Sequence, residues 1–283
     1  MTPVLKILFD VASFRLRRLE MANMAGALAI ALACHLGLAE IAYRLSFAFL
    51  LNLLVYLNND WHDLDDDLAA ATREQDKTRY LAEHRGAAVV AQLAVLALLL
   101  AMAVAWGGGL LIALLAGGGV CWAYSAKLKR LPFVDVLAMV AWGVAMPAVG
   151  LAPGHPEGLL LLGQLGLFSG VFESIQVLRD REIDATAGVR TTAVVLGPTR
   201  ARALIRVMLA LAGLYAGLCF AWWLAPFIWA AALQRVAPGD DVEGYWNRTR
   251  MILGVVMLIE TLLVWLGWAG SMIGSIGSIG ALA

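Results

Sequence analysis

An acidic stretch follows directly on a mostly apolar run in the first quarter of the chain. Residues 58–67 read Asn-Asn-Asp-Trp-His-Asp-Leu-Asp-Asp-Asp, immediately after the apolar run at residues 45–57. If a helix continues through this stretch, Asp60, Asp63 and Asp67 lie at i, i+3 and i+7 and share one face. Carboxylates this close repel one another, and divalent cations that also bind substrate phosphates are the usual compensation. The spacing therefore indicates a metal site for a phosphate compound; the alternative is a solvated acidic loop.

A second acidic cluster with the same chemistry lies farther along the chain. Residues 179–184 read Arg-Asp-Arg-Glu-Ile-Asp, and a glycine and two threonines follow shortly afterwards. Asp180 and Asp184 are spaced at i and i+4, so they too share one face of a helix. Two matching clusters favour one composite metal site over two unrelated solvated loops.

A basic segment at residues 124–130, which reads Tyr-Ser-Ala-Lys-Leu-Lys-Arg, lies between the two acidic clusters. We expect Lys127 and one of Lys129 or Arg130 to bind phosphate oxygens, with the Tyr124 hydroxyl as a further donor. The alternative is a membrane anchor, in which cations and an interfacial tyrosine mark the cytoplasmic end of a span. Cations after the first acidic cluster could bind the same phosphates, namely Arg73, Lys77 and Arg79.

The elements that carry these clusters are predicted to be membrane helices. Of the 283 residues, 61% are hydrophobic and only 15% are charged, with too many apolar runs for the core of a soluble domain. We therefore predict an all-α polytopic membrane protein with nine transmembrane helices. The nine segments lie near residues 21–39, 43–59, 86–106, 109–126, 134–152, 158–178, 201–220, 222–236 and 250–270.

The distribution of Lys and Arg predicts how these helices are oriented. With the N-terminus inside, the cytoplasmic loops hold nearly all of these cations, and Arg44 is the exception among the outer turns. Both acidic loops and the basic segment then face the cytoplasm, in the inner membrane if the source is bacterial. Each half reads as helix, helix, acidic loop, helix, helix, which predicts two four-helix-like halves around a central cavity.

We expect one domain over residues 1–283, with a cytoplasmic N-terminal segment at 1–20 and a flexible tail at 271–283. The cysteines lie inside apolar segments without metal-ligand spacing, so we interpret them as small buried apolar residues and expect no disulfides. They are Cys34, Cys121 and Cys219.

The clusters resemble the signature motifs of the UbiA superfamily of intramembrane prenyltransferases, over roughly residues 15–270. After the first motif many members carry Arg-Pro where this chain reads Arg73-Glu74, so the roles of the cations there stay open. The matching motifs, in the family's order, are Asn59-Asp60-x-x-Asp63-x-x-x-Asp67, Tyr124-Ser125-x-Lys127 with Lys129-Arg130, and Asp180-x-x-x-Asp184-x-x-x-Gly188 with Thr191-Thr192.

The resemblance implies that two Mg²⁺ ions, held by both Asp motifs, bind an isoprenoid diphosphate whose prenyl group passes to a lipophilic or aromatic acceptor. The implied partners are the diphosphate donor, the hydrophobic acceptor and membrane lipid, with no nucleic acid. The implied catalytic residues are Asn59, Asp60, Asp63, Asp67, Asp180 and Asp184, of which the aspartates bind metal. The implied diphosphate-binding residues are Tyr124, Ser125, Lys127, Arg130, Lys77 and Arg79.

Two other functions compete with prenyl transfer. A transporter would hold its ionisable residues near the membrane midplane in discontinuous helices, whereas these clusters lie at the ends of the spans. A membrane terpene cyclase of the same fold, which acts on a prenyl diphosphate without an acceptor, is separated poorly from a transferase by the motifs. The acceptor and the prenyl length also stay open.

Overall fold

Helices occupy nearly all of the described chain. The computed structural model describes residues 1–18, 20–21, 23–69, 75–107, 109–234 and 241–269, with all side chains in these ranges except those of Asp66 and Gln75. Arg73 and the tail at 271–283, about which predictions are made above, lie outside the described residues. No strand occurs in the described ranges.

The helices, in chain order, are α1 (Pro3–Arg17), α2 (Asn23–Ala33), α3 (Leu38–His62), α4 (Leu64–Ala69), α5 (Gln75–Glu83), α6 (Arg85–Trp106), α7 (Leu110–Ala113), α8 (Gly119–Ala126), α9 (Val134–Ala145), α10 (Gly158–Arg179), α11 (Arg181–Thr186), α12 (Thr192–Cys219), α13 (Leu224–Leu233) and α14 (Val242–Trp265). A π-helical turn at Leu114–Gly118 joins α7 to α8, and 3₁₀ turns occupy Leu128–Arg130 and Pro147–Gly150.

Helices occur in all nine predicted apolar segments, but their lengths differ. Four stretches are long and apolar enough to cross a membrane: α3, α6, α10 continued by α11, and α12. Four others are shorter apolar helices at Asn23–Ala33, Leu110–Ala126, Val134–Gly150 and Leu224–Leu233, and α14 covers the ninth segment. The count of nine spans and the division into two halves therefore stay predictions.

Glycine marks one predicted helix junction and permits one close helix contact. Gly107, where α6 ends, has a φ of 67°, a left-handed conformation that glycine adopts without steric cost. Gly150 follows α9 and packs against α2, where an added Cβ would lie 2.0 Å from the carbonyl oxygen of Ala27. Only a glycine lets these two backbones approach so closely.

The helix α10 lies at the centre of the largest apolar cluster and packs against α2, α9, α12 and α14. The helix α3 has a corresponding place in a second cluster, where it packs against α1, α6 and α8. The packing of α3 and α10 matters for function, because an acidic motif follows the C-terminal end of each.

Arg44 is not a loop cation, although the orientation rule treats it as the exception among the outer turns. It lies within α3 and its side chain is buried. Its guanidinium pairs with Glu40 and donates to the carbonyl oxygens of Val149 (2.9 Å) and Leu151 (3.0 Å). The arginine therefore satisfies backbone acceptors after α9, which would otherwise be left unpaired in the core.

Candidate active site

The two acidic motifs occupy equivalent local structures. The helix α3 ends at His62 with Asp63 as its C-cap, and α10 ends at Arg179 with Asp180 as its C-cap. Each cap residue donates its backbone N–H to the carbonyl four residues earlier at 2.9 Å, and a six-residue helix, α4 or α11, follows. The helix predicted to continue through residues 58–67 is therefore interrupted at Asp63, whose φ of −91° and ψ of 2° leave the helical region.

These positions concentrate negative charge. The C-terminal end of a helix carries a partial negative charge, so a carboxylate placed there is destabilising unless a cation is close. The C-terminal ends of α3 and α10, with their motif carboxylates, therefore need positive charge close by. Cationic side chains from several elements provide this charge.

In the first motif, Asp60 and Asp63 each accept hydrogen bonds from a cation of another element. Asp60 is buried and accepts from Arg15, in α1, and from Lys77, in α5, at 2.8 Å. Asp63 accepts from the Asn59 amide at 2.8 Å and from Lys129 in the basic segment. Lys77 also lies over the Phe14 ring, 4.2 Å from its centroid, which adds a cation–π contact.

Asp67 belongs to the same group of interacting carboxylates despite the interruption at Asp63. Burial raises the pKa of Asp67, and the nearby Asp63 and Asp60 raise it further, while Lys77 and Lys129 partly oppose this. Asp65, in contrast, pairs with Arg85 on the surface and its side chain is 80% exposed. The predicted common face thus includes Asp60, Asp63 and Asp67 but not Asp65; the Asp66 side chain is outside the described residues.

In the second motif, neighbours in sequence hold the carboxylates. Arg179 donates from Nε and a terminal nitrogen to the two oxygens of Asp180, at 2.8 and 2.9 Å. Asp184 accepts from the Thr191 hydroxyl at 3.2 Å. The motif is therefore preformed, with both carboxylates at least partly accessible.

Asp135 connects the second motif to the loop after the basic segment. It is fully buried and accepts from the backbone N–H groups of Thr192 (2.7 Å) and Val136 (2.9 Å), as well as from the Thr192 hydroxyl. The Thr192 hydroxyl also accepts from the Phe133 backbone N–H at 2.6 Å. Asp135, in the first turn of α9, is therefore a structural carboxylate whose contacts extend to the chain after Asp184.

Lys129 links the basic segment to the first acidic motif and interacts electrostatically with the second. It donates to Asp63, and its charge acts on Asp67 of the first motif and on Asp184 of the second. Lys127, the lysine preferred by the sequence motif, is exposed, and no contact of its side chain is found in the described part of the chain. The contact of Lys129 is with a motif carboxylate, so phosphate binding by Lys127 and by one of Lys129 or Arg130 stays a prediction.

The remaining predicted residues lie around this centre in different environments. The Tyr124 hydroxyl donates to the buried Glu173 at 2.7 Å, so binding a phosphate would require exchange of that bond. Ser125 is buried, and Arg79 is exposed on α5. Arg130 lines a cavity of about 310 Å³ beside the second motif, together with Ala187, Gly188, Val189 and Arg190.

Two residues that contribute to the site, Arg15 and Glu173, lie outside the predicted motifs, whereas Lys129 was predicted only as an alternative to Arg130. The contact of Arg15 with Asp60 has no signal in local spacing. Glu173 is an acidic residue in an apolar segment, two turns before Asp180. A buried acidic residue in an apolar segment is the type of signal that indicates such a role.

The residues present fit Mg²⁺. The five motif carboxylates and the Asn59 amide offer oxygen ligands only, which are the ligands that Mg²⁺ prefers. Asp60, Asp63 and Asp67 interact electrostatically with one another, as Asp180 and Asp184 do. In this structure side-chain cations neutralise these carboxylates, and a bound metal ion would take over that role.

Comparisons with known proteins found a matching family model and solved structures of similar fold. The sequence matches the model of the UbiA prenyltransferase family over residues 21–237. A UbiA homolog from Archaeoglobus fulgidus, bound to GPP and Mg²⁺, has the same fold with a TM-score of 0.63 at 19% identity, covering 93% of this chain and 99% of that one. Bound to DMAPP and Mg²⁺, the same homolog gives a TM-score of 0.65 at 19% identity over the same shares.

A structure of a digeranylgeranylglyceryl phosphate synthase gives a TM-score of 0.71 at 14% identity, covering 94% of this chain and 99% of that one. No curated protein matches the chain. The long apolar helices and the likeness to these proteins indicate an integral membrane protein. Since the family model covers more than half of the chain, and both acidic motifs lie within it, the chain belongs to the UbiA prenyltransferase family.

Proposed function

We propose that this protein transfers a prenyl group from an isoprenoid diphosphate to a lipophilic or aromatic acceptor, with release of diphosphate. The observation that carries the proposal is the pair of carboxylate C-caps, Asp63 and Asp180, with Lys129 between their motifs. A site with carboxylates for metal, cations for phosphate and an apolar bundle beside it suits a ligand that is polyanionic at one end and apolar at the other.

In this proposal the aspartates of both motifs hold two Mg²⁺ ions, and Asn59 stands beside them. Bound Mg²⁺ would supply Lewis-acid neutralisation of the charge that develops on the leaving diphosphate. The chain's own cations add preorganised positive charge at the same place. The cations assigned to the diphosphate are Lys77, Arg79, Lys127 and Arg130, and the geometry adds Lys129.

Two features support the placement of the anionic group and of the prenyl chain. The cavity lined by Arg130 and Arg190 lies directly beside Gly188 of the second motif, so it can receive phosphate oxygens. The helices α3 and α10, which end at the motifs, are mostly apolar and would shield an allylic carbocation from water. We place this site on the cytoplasmic side, in a single domain over residues 1–283, because the cations of the chain concentrate at that end.

The test is turnover of purified protein with Mg²⁺ and a series of prenyl diphosphates, with and without candidate aromatic and lipid acceptors. We expect diphosphate release only when an acceptor is present, and loss of that release in Asp63→Asn. Asp65→Asn is the matched control, because it removes an equally charged side chain two residues away that points to solvent. Equal loss of activity in both variants would contradict the proposed site.

A terpene cyclase of the same fold remains the alternative outcome. Rapid diphosphate release without any acceptor, together with a hydrocarbon product, would replace the transferase by a cyclase. Absence of Mg²⁺-dependent diphosphate release with all donors and acceptors would contradict both functions.

A further inference from the structure

Metal-binding side chains also converge at the opposite end of α10 from the acidic motif. Cys34 follows the end of α2, and His155 and Glu157 lie just before α10 begins. One potential ligand atom from each of the three side chains lies within 4.8 Å of the other two, and the described residues contain no other such group of three. With 22 residues in α10, this cluster is about 33 Å from Asp180, so it is separate from the active site.

The environment of Cys34 is specific for a sulfur ligand. The residue is fully buried. A Cβ at Gly158 would come within 3.1 Å of its sulfur, so glycine leaves the space that the Cys34 side chain occupies.

The other two side chains are already oriented towards each other. His155 Nδ1 and Glu157 Oε1 are 2.8 Å apart, and both side chains are partly exposed, so an ion can reach them from solvent. The neighbouring His35 does not belong to this group, and its Nε2 lies 3.0 Å from the carbonyl oxygen of Trp265. The backbone of His35 is left-handed, with a φ of 54°.

We propose that Cys34, His155 and Glu157 form a binding site for Zn²⁺ or a similar borderline divalent cation. One sulfur, one nitrogen and one oxygen ligand is a donor set that Zn²⁺ accepts, whereas Mg²⁺ takes oxygen ligands almost exclusively. Metal–ligand bonds of about 2.0–2.3 Å put tetrahedral ligand atoms about 3.3–3.8 Å apart. The Cys34 sulfur therefore needs to approach the other two ligands by up to about 1 Å, and the His155–Glu157 pair needs to open from 2.8 Å. Water completes the fourth position, and the thiol proton is released to solvent as the ion binds.

The sequence could not reveal this site, because its ligands come from two loops about 120 residues apart. The prediction that the cysteines have no metal-ligand spacing is true of the linear chain, and it fails for Cys34 only after α2 and α10 pack together. A bound ion would connect the end of α2 to the start of α10 and so stabilise the end of the bundle far from the acidic motifs.

The experiment uses Co²⁺ as a spectroscopic substitute for Zn²⁺, with excess Mg²⁺ present to occupy the acidic motifs. Carboxylates cannot produce a thiolate-to-cobalt charge-transfer band, so that band reports on the cysteine site alone. We expect the wild-type protein to show the band with one equivalent of Co²⁺, and one equivalent of Zn²⁺ to abolish it. Cys34→Ser should lack the band, and His155→Gln should bind Co²⁺ about tenfold or more weakly.

Cys219→Ser is the matched control, since Cys219 is also buried but has no such ligand cluster among the described residues. It should keep the band. Absence of the band in the wild-type protein, its persistence in Cys34→Ser, or its loss in Cys219→Ser overturns the proposal. If Cys34→Ser does not fold, His155→Gln and Glu157→Gln decide: unchanged Co²⁺ affinity in both overturns the site, and weakened affinity supports it.

Discussion

Replacing Lys129 by methionine should strengthen Mg²⁺ binding and weaken binding of a prenyl diphosphate analogue. In the structure the Lys129 ammonium donates to Asp63, and its charge also acts on Asp67 and Asp184. A metal ion must therefore compete with this lysine for Asp63. Removing the ammonium group removes the competitor, whereas the diphosphate loses a cation that would bind it.

The size of the effect follows from the exposure of the pair. The side chains of Lys129 and Asp63 are 19% and 21% exposed, so solvent screens their attraction only partly. Two unit charges about 4 Å apart interact by about 4 kcal/mol at an effective dielectric constant of about 20. Exposed pairs contribute at most about 1 kcal/mol. We expect a net value of about 1.5 kcal/mol for this pair, which corresponds to about tenfold tighter Mg²⁺ binding in the variant.

The assay is calorimetric titration of metal-free protein in detergent with Mg²⁺, followed by titration of the analogue at saturating Mg²⁺. Lys127→Met is the matched control, because it removes the same charge from an exposed position where no contact is found among the described residues. It should leave Mg²⁺ affinity within about twofold of wild type and weaken only the analogue. Unchanged or weaker Mg²⁺ binding in Lys129→Met would refute the reasoning, and so would an equal gain in Lys127→Met.

Three further predictions concern the carboxylates. Asp63→Ala and Asp184→Ala should each abolish Mg²⁺-dependent diphosphate release, and the double variant should be little worse, because groups that act as a unit are non-additive; substantial residual activity in Asp184→Ala would contradict the composite site. Asp67→Asn should raise the melting temperature of the metal-free protein at neutral pH, because burial and the neighbouring carboxylates make ionisation of Asp67 unfavourable. That gain should vanish as the pH falls through the raised pKa of Asp67, where the wild-type carboxyl is protonated, and thermal melts in chelator across acidic and neutral pH will show whether it does. Asp135→Asn should lower the free energy of unfolding by about 1–3 kcal/mol, since the amide leaves a buried donor of Thr192 or Val136 unpaired; a melt equal to wild type would show that these hydrogen bonds contribute nothing.

The local sequence pattern predicts the membrane helices and the acidic motifs of this protein. An excess of apolar residues in long runs is sufficient to predict membrane helices, because lipid requires every backbone polar group to be paired within the segment. The acidic motifs could be recognised for a similar reason. Asp60 and Asp63 are about one helical turn apart at the end of α3, so their proximity follows from the helix itself; Asp67 follows about one turn later, after the interruption at Asp63.

Tertiary structure decided which cations meet those carboxylates. Arg15 and Lys129 reach Asp60 and Asp63 across 45 and 66 residues, and Cys34 meets His155 across about 120. Such pairs depend on which helix faces pack together, and that choice depends on steric fit, such as the approach of Gly150 to Ala27. Composition indicates both Lys127 and Lys129 as candidate ligand-binding cations. The two lysines are two residues apart and therefore lie on different sides of their segment. The packing of the helices brings the backbones of Lys129 and Asp63 within reach of each other. The attraction between the opposite charges then turns the Lys129 side chain towards Asp63.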